Sequence, residues 1–158
     1  MSELSALLQT LSDCPGTSGN ELAVRQCLKS VLAGHVDTMQ VDALGNLIVL
    51  KQGTGASSLR VLVSAHMDEV GFMVVDHSGE GYLRVEAVGG VNAQVLPGLQ
   101  VLVGKDSAPG VIGVKSPHHS ESEEANVAPS LKNLVVDIGA ASKDEAARVA
   151  PLGTPIVF

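Results

Sequence analysis

The chain has 158 residues, enough for one ordinary domain with its own core. Apolar residues make up 45% and charged residues 17%, a globular composition, while aromatics are 2%: Phe72, Tyr82 and Phe158. A net charge of -7 excludes phosphate-backbone binding, the scarcity of aromatics removes a stacking platform for single-stranded nucleic acid, and no apolar stretch approaches the ~20 residues of a membrane span.

Leu4, Leu7, Leu8 and Leu11 recur on one helical face, and Pro15-Gly16 ends that helix. Ser18-Gly19-Asn20-Glu21 has the form of a capping box. It predicts a second helix with Val24, Cys27, Leu28 and Val31 on one face and a stop at Gly34. Cys14 and Cys27 do not make a disulfide framework, and reduced thiols packed near the helices are expected. Met1 to Asp13 carries no basic leader followed by a long apolar run, so a soluble, cytoplasmic protein is expected.

The period then changes. Val36 to Val41 reads as a strand, Asp42 to Asn46 as a turn, and Leu47 to Leu50 as a short buried strand. Gln52 to Ser58 is a polar loop. Arg60 to Ala65 reads as a strand apolar enough to be covered on both faces. Two helices with interleaved strands open an α/β layer.

Beyond residue 70, short strands are expected at Val70 to Val75, Tyr82 to Val88, Val101 to Val103, Val111 to Val114 and Leu134 to Ile138. Gly-rich turns separate them, the pattern of a small barrel or sandwich. A boundary near residue 70 divides the chain into 1–69 and 70–158. Pro117 to Pro129 reads as a mobile surface loop. Ser142-Lys143-Asp144-Glu145 is a second capping box, opening a helix to Val149. Ile156-Val157-Phe158 is either a strand tucked into the barrel or the point where a longer chain was cut.

Chemistry concentrates at Ala65-His66-Met67-Asp68-Glu69. His66 follows an apolar strand, at the end where α/β sheets place their sites. A neutral imidazole suits a borderline divalent cation. Asp68 projects from the same strand face and can hold the other ring nitrogen, while Glu69 points away or belongs to the turn. By spacing alone, a lone histidine at a strand end is more often structural than a ligand; the ligand reading gains force only from the apolar strand before it and Glu69-Val70-Gly71-Phe72 after it.

The sequence resembles the N-terminal part of the tetrahedral aminopeptidases, metallopeptidases that include glutamyl and deblocking aminopeptidases and relatives sometimes labelled endoglucanases. The resemblance is carried by Ser18-Gly19-Asn20-Glu21, by Asp42-Ala43-Leu44-Gly45-Asn46-Leu47 and above all by Ala65-His66-Met67-Asp68-Glu69-Val70-Gly71-Phe72. Gly110-Val111-Ile112-Gly113, Pro117-His118, Val136-Asp137-Ile138-Gly139-Ala140 and Ser142 to Ala146 follow in the family's order. The resemblance implies an incomplete zinc-peptidase-like α/β domain (1–69), followed by an inserted small β-barrel dimerisation domain (70–158). It implies two divalent metal ions, zinc or cobalt, in the complete enzyme, with His66 a ligand to one and Asp68 the catalytic residue that orients it. It further implies peptide substrates, homo-oligomers built through the barrel, and a loop after Pro117-His118 near an interior chamber.

The remaining metal ligands and the catalytic Glu of that family have no match in this chain. His118 and His119 are adjacent and do not easily face one ion from a strand. Glu121, Glu123 and Glu124 read as a solvated charge run, Asp137 as a structural hydrogen-bonding group, and His35 and His77 as turn residues without a carboxylate at ligand spacing. The expected activity is therefore metal-dependent aminopeptidase in the full-length parent, with this chain inactive alone and no metal stably bound. The alternatives are a non-catalytic dimerisation or scaffold piece, a β module that accepts extended peptides at an open edge, and a glycosidase. A glycosidase needs two carboxylates flanking one bond, and neighbouring Asp68 and Glu69 face opposite sides of a strand.

Overall fold

The structure is a computed structural model that describes residues 2–56, 58–114 and 130–158. The chain divides into two units, Met1–Asp68 and Glu69–Phe158. Pro117 to Pro129, with His118, His119, Glu121, Glu123 and Glu124, lies outside the described residues.

The first unit opens with α1 (Glu3–Ser12), capped by the Ser2 hydroxyl, which accepts from the Ser5 amide at 3.2 Å. α2 (Leu22–Leu32) follows, with Val24 buried. The capping box expected at Ser18 is not formed. α2 begins at Leu22, Glu21 stands at its N-cap position, and no side chain caps it. Glu21 does reach back, but to the Gly19 amide at 2.7 Å.

β1 (Thr38–Val41) and β2 (Leu47–Leu50) form an antiparallel hairpin. Its turn is organised by Asp42. One carboxylate oxygen accepts from the amides of Leu44 and Asn46, each at 2.9 Å, and the other accepts from the Asn46 side chain at 2.8 Å. Arg25 of α2 donates to the Gly45 carbonyl at 2.9 Å and ties the helix to the hairpin.

Two further expectations for this unit fail. β2 is not buried, since Ile48, Val49 and Leu50 are exposed. Residues 60–65 belong to no strand, and Val61, Leu62 and Val63 are 77%, 90% and 88% exposed. The apolar run carries strand propensity, but a strand also needs a ladder partner, and none is present among the described residues.

The second unit is a closed, antiparallel six-stranded barrel in the order β3-β4-β7-β6-β5-β8. Its strands are β3 (Gly71–His77), β4 (Leu83–Val88), β5 (Gln100–Val103), β6 (Ala108–Val114), β7 (Leu134–Asp137) and β8 (Pro155–Val157). The inward residues alternate as a half-buried strand requires: Phe72 and Val74, Leu83 and Val85, Val101 and Val103, Leu134 and Val136. Closure leaves no free sheet edge within the barrel. The molecule is thus mixed α/β, with the expected barrel in its second part.

β8 completes the barrel. Ile156 pairs with Phe72 of β3 on one side and Val103 of β5 on the other. Phe158 packs edge-on against Phe72, with ring centroids 5.7 Å apart. The terminal apolar segment is therefore a barrel strand.

α3 (Lys143–Val149) has the expected box. The Ser142 hydroxyl accepts from the Glu145 amide at 3.3 Å, and Glu145 accepts from the Ala141 amide at 2.9 Å. Ala146 and Ala150 are fully buried in the barrel core. Gly81 allows the β3–β4 turn to meet the entry to α3: its φ is +95°, and a Cβ there would stand 2.2 Å from the Ala140 carbonyl oxygen. No helix among the described residues is long and apolar enough to cross a membrane.

Candidate active site

His66 and Asp68 meet as the sequence spacing requires, although the segment carrying them is extended chain rather than a strand. His66 Nδ1 lies 2.9 Å from the Asp68 backbone carbonyl and 3.2 Å from its carboxylate Oδ1. Both partners only accept, so Nδ1 carries the proton. The Nε2 lone pair of the neutral ring is then available. The side chain is 84% exposed, so that nitrogen is accessible. This is the tautomer and orientation of a metal-binding imidazole whose second nitrogen is held by a carboxylate.

The other oxygen of Asp68, Oδ2, accepts a hydrogen bond from the Ser18 hydroxyl. Ser18 therefore has a partner 50 residues away in place of the helix cap read from its sequence. Asp68 is held below the usual carboxylate range, chiefly by the Ser18 hydroxyl, with a smaller contribution from His66.

A cleft of about 660 Å³ runs past these groups, lined in part by Glu21, Leu28, Leu47, Leu62, His66 and Asp68. The Glu21 carboxylate on this cleft is tied to the Gly19 amide.

The other candidates do not join the site. His35 is exposed after α2. His77 is not a turn residue: it ends β3, is 6% exposed, and bonds the Ala150 carbonyl. A register irregularity between Val74 and Asp76 breaks the alternation and turns His77 inward, which the sequence pattern does not signal. Asp137 is exposed and accepts from the Gly139 amide at 2.8 Å, a structural role. Cys14 and Cys27 are free and half-buried, and burial first, then the neighbouring Cys27, pushes the Cys14 thiol up. Among the described residues, no group of three or more His, Cys, Asp or Glu is arranged to hold a metal ion. The donor set fits one ligand, His66, and not a whole metal site.

Solved structures resemble this chain in fold. The TET aminopeptidase of the marine sediment archaeon Thaumarchaeota archaeon SCGC AB-539-E09 superposes with a TM-score of 0.91 at 34% identity, over 99% of this chain and 44% of that one. The TET1 peptidase of Pyrococcus horikoshii, described as assembling into a tetrahedron or a large octahedral shell, gives 0.84 at 36% identity, over 99% and 46%. A Thermotoga maritima protein named endoglucanase gives 0.80 at 41% identity, over 96% and 44%. The chain spans 39%, 43% and 41% of the length of three curated relatives that it matches. The M42 glutamyl aminopeptidase family model matches residues 45–158, and the chain belongs to that family.

Proposed function

We propose that this chain supplies the His66 side of a two-metal aminopeptidase site and that the whole protein removes N-terminal residues from peptides. The observation that carries this reading is the His66 ring, held by two acceptors at Nδ1 on an exposed side chain, which leaves Nε2 free to act as a ligand. Zinc or cobalt bound there would polarise the first peptide carbonyl and activate a water. His66 would hold one ion, and Asp68 would fix the ring against rotation. The cleft along Leu28, Leu47 and Leu62 offers apolar surface beside them.

One ligand does not make a catalytic site. The 158-residue chain should therefore show no aminopeptidase turnover on chromogenic aminoacyl substrates with zinc or cobalt added. Turnover that copurifies with the chain and disappears in His66→Ala would refute this division of labour.

A second reading is favoured by the closed barrel, which is complete within Glu69–Phe158. The barrel acts as a homo-oligomerisation module, in keeping with the assemblies described for the Pyrococcus horikoshii relative. Light scattering over a concentration series, read together with the NMR response of the His66 ring to added Co²⁺, distinguishes the two. A dimer lacking any metal response at His66 supports a scaffold alone, and a metal response at His66 supports the peptidase reading.

A further inference from the structure

We propose that Ser18 is a positioning residue for the metal-binding histidine: its hydroxyl holds the Asp68 carboxylate in the orientation that keeps the second oxygen on His66 Nδ1. The inference rests on the reading of His66 as a metal ligand.

Asp68 has two oxygens with two different tasks. Oδ2 takes the Ser18 hydroxyl, and Oδ1 faces the His66 ring at 3.2 Å. Packing does little to hold the His66 ring, whose side chain is 84% exposed, while Asp68 is half-buried. Polar contacts therefore set the ring's direction. A carboxylate anchored at one oxygen loses most of its freedom to swing, and a hydroxyl-to-carboxylate bond is among the stronger anchors.

Ser18 is itself held on both sides. Thr17 before it is 1% exposed. Gly16 is pressed so close to α2 that a Cβ would stand 2.5 Å from Val24 Cγ2 and 3.8 Å from the Met67 carbonyl oxygen. After it, Glu21 clamps the Gly19 amide at 2.7 Å. The loop is thus seated against both α2 and the chain just before Asp68. The hydroxyl has no competing duty as a helix cap.

The test compares Ser18→Ala and Ser18→Thr with wild type in the 158-residue chain. NMR reads the χ1 populations of Asp68 from three-bond couplings and the broadening of the His66 ring signals on titration with Co²⁺ alone. Backbone amide signals of α2 confirm that each variant is folded. The expected result is one Asp68 rotamer in wild type and Ser18→Thr, and averaging in Ser18→Ala. The Co²⁺ midpoint at His66 should rise about tenfold in Ser18→Ala and recover in Ser18→Thr. A single, unchanged Asp68 rotamer in Ser18→Ala overturns the proposal whatever the metal does. An unchanged Co²⁺ midpoint in Ser18→Ala overturns it too; a raised midpoint in Asp68→Asn in the same series then localises the error to Ser18. If Co²⁺ leaves the wild-type His66 ring signals unbroadened, the ligand reading itself fails and the proposal with it. That failure is recognisable because Asp68 still averages in Ser18→Ala.

Discussion

His77 Nε2 lies 2.7 Å from the carbonyl oxygen of Ala150, 73 residues further along the chain. The carbonyl only accepts, so Nε2–H donates, and the bond ties the end of β3 to the residue that closes α3. Both partners are buried. Replacing His77 by Ala leaves that carbonyl without its donor, at a cost of about 2 kcal/mol, with lost packing in addition. His77→Gln keeps a donor and should recover part of the loss. Urea unfolding of the three proteins checks this, and an unchanged midpoint in His77→Ala would show that the bond contributes nothing.

The Asp42 turn predicts a pH dependence. Asp42 is held below its ordinary value, first by the Asn46 side chain and then by the Asn46 amide. The unfolded chain therefore binds this proton more readily than the folded one. The stabilisation is present in full above the ordinary carboxylate value and is lost as pH falls through the lowered one. Asp42→Ala should accordingly be less stable than wild type at neutral pH, and the difference should vanish once the pH has fallen below the lowered value. Asp42 is fully exposed, so the effect is best followed by the chemical shifts of Leu44 and Asn46, whose amides report the turn directly. Equal sensitivity of wild type and variant across this range would rule the turn out as its source.

Much of the fold is legible because it is written in local chemistry. The barrel strands show their period of two, and Ser142 and Glu145 sit at capping-box spacing and form the expected pair of bonds. The Ser18–Glu21 segment has the same form and behaves differently. Its hydroxyl finds a stronger acceptor in Asp68, and nothing within four residues of Ser18 records that competition. The same limit applies to His77, which a bulge turns inward against the alternation of its strand. Arg60 to Ala65 fails for another reason: an apolar run states what a segment prefers to contact and cannot state whether the contact is supplied. His66 and Asp68 were legible because two residues of separation place them together in any extended chain.

Val61, Leu62 and Val63 form a run of apolar side chains at 77%, 90% and 88% exposure. Such a run drives association in a protein of this size. The 158-residue chain should therefore self-associate as concentration rises. Leu62→Glu should lower the associated fraction in sedimentation velocity while changing unfolding stability by no more than about 0.5 kcal/mol, as a surface substitution does. Association undiminished in Leu62→Glu would direct attention to the barrel as its source.

The barrel depends on one short strand for closure. β8 has three residues, and Ile156 is the one paired on both sides, with Phe72 and with Val103. It is also fully buried, packed among Phe72, Val74, Val103 and the other core residues. Ile156→Ala removes three buried carbons at the seam and should cost about 4 kcal/mol, toward the upper end for such truncations because neighbours held in a closed ring relax little. Ile156→Val removes one carbon and should cost about 1 kcal/mol. Residues 69–158 contain this whole core and should fold without the first unit. Thermal unfolding of that segment gives the reading directly: wild type cooperative, Ile156→Val slightly lower, Ile156→Ala lowest. A segment that melts without cooperativity in its wild-type form would show that the barrel needs more than its own core, and near-equal melting of the two variants would show that the seam is not where closure is held.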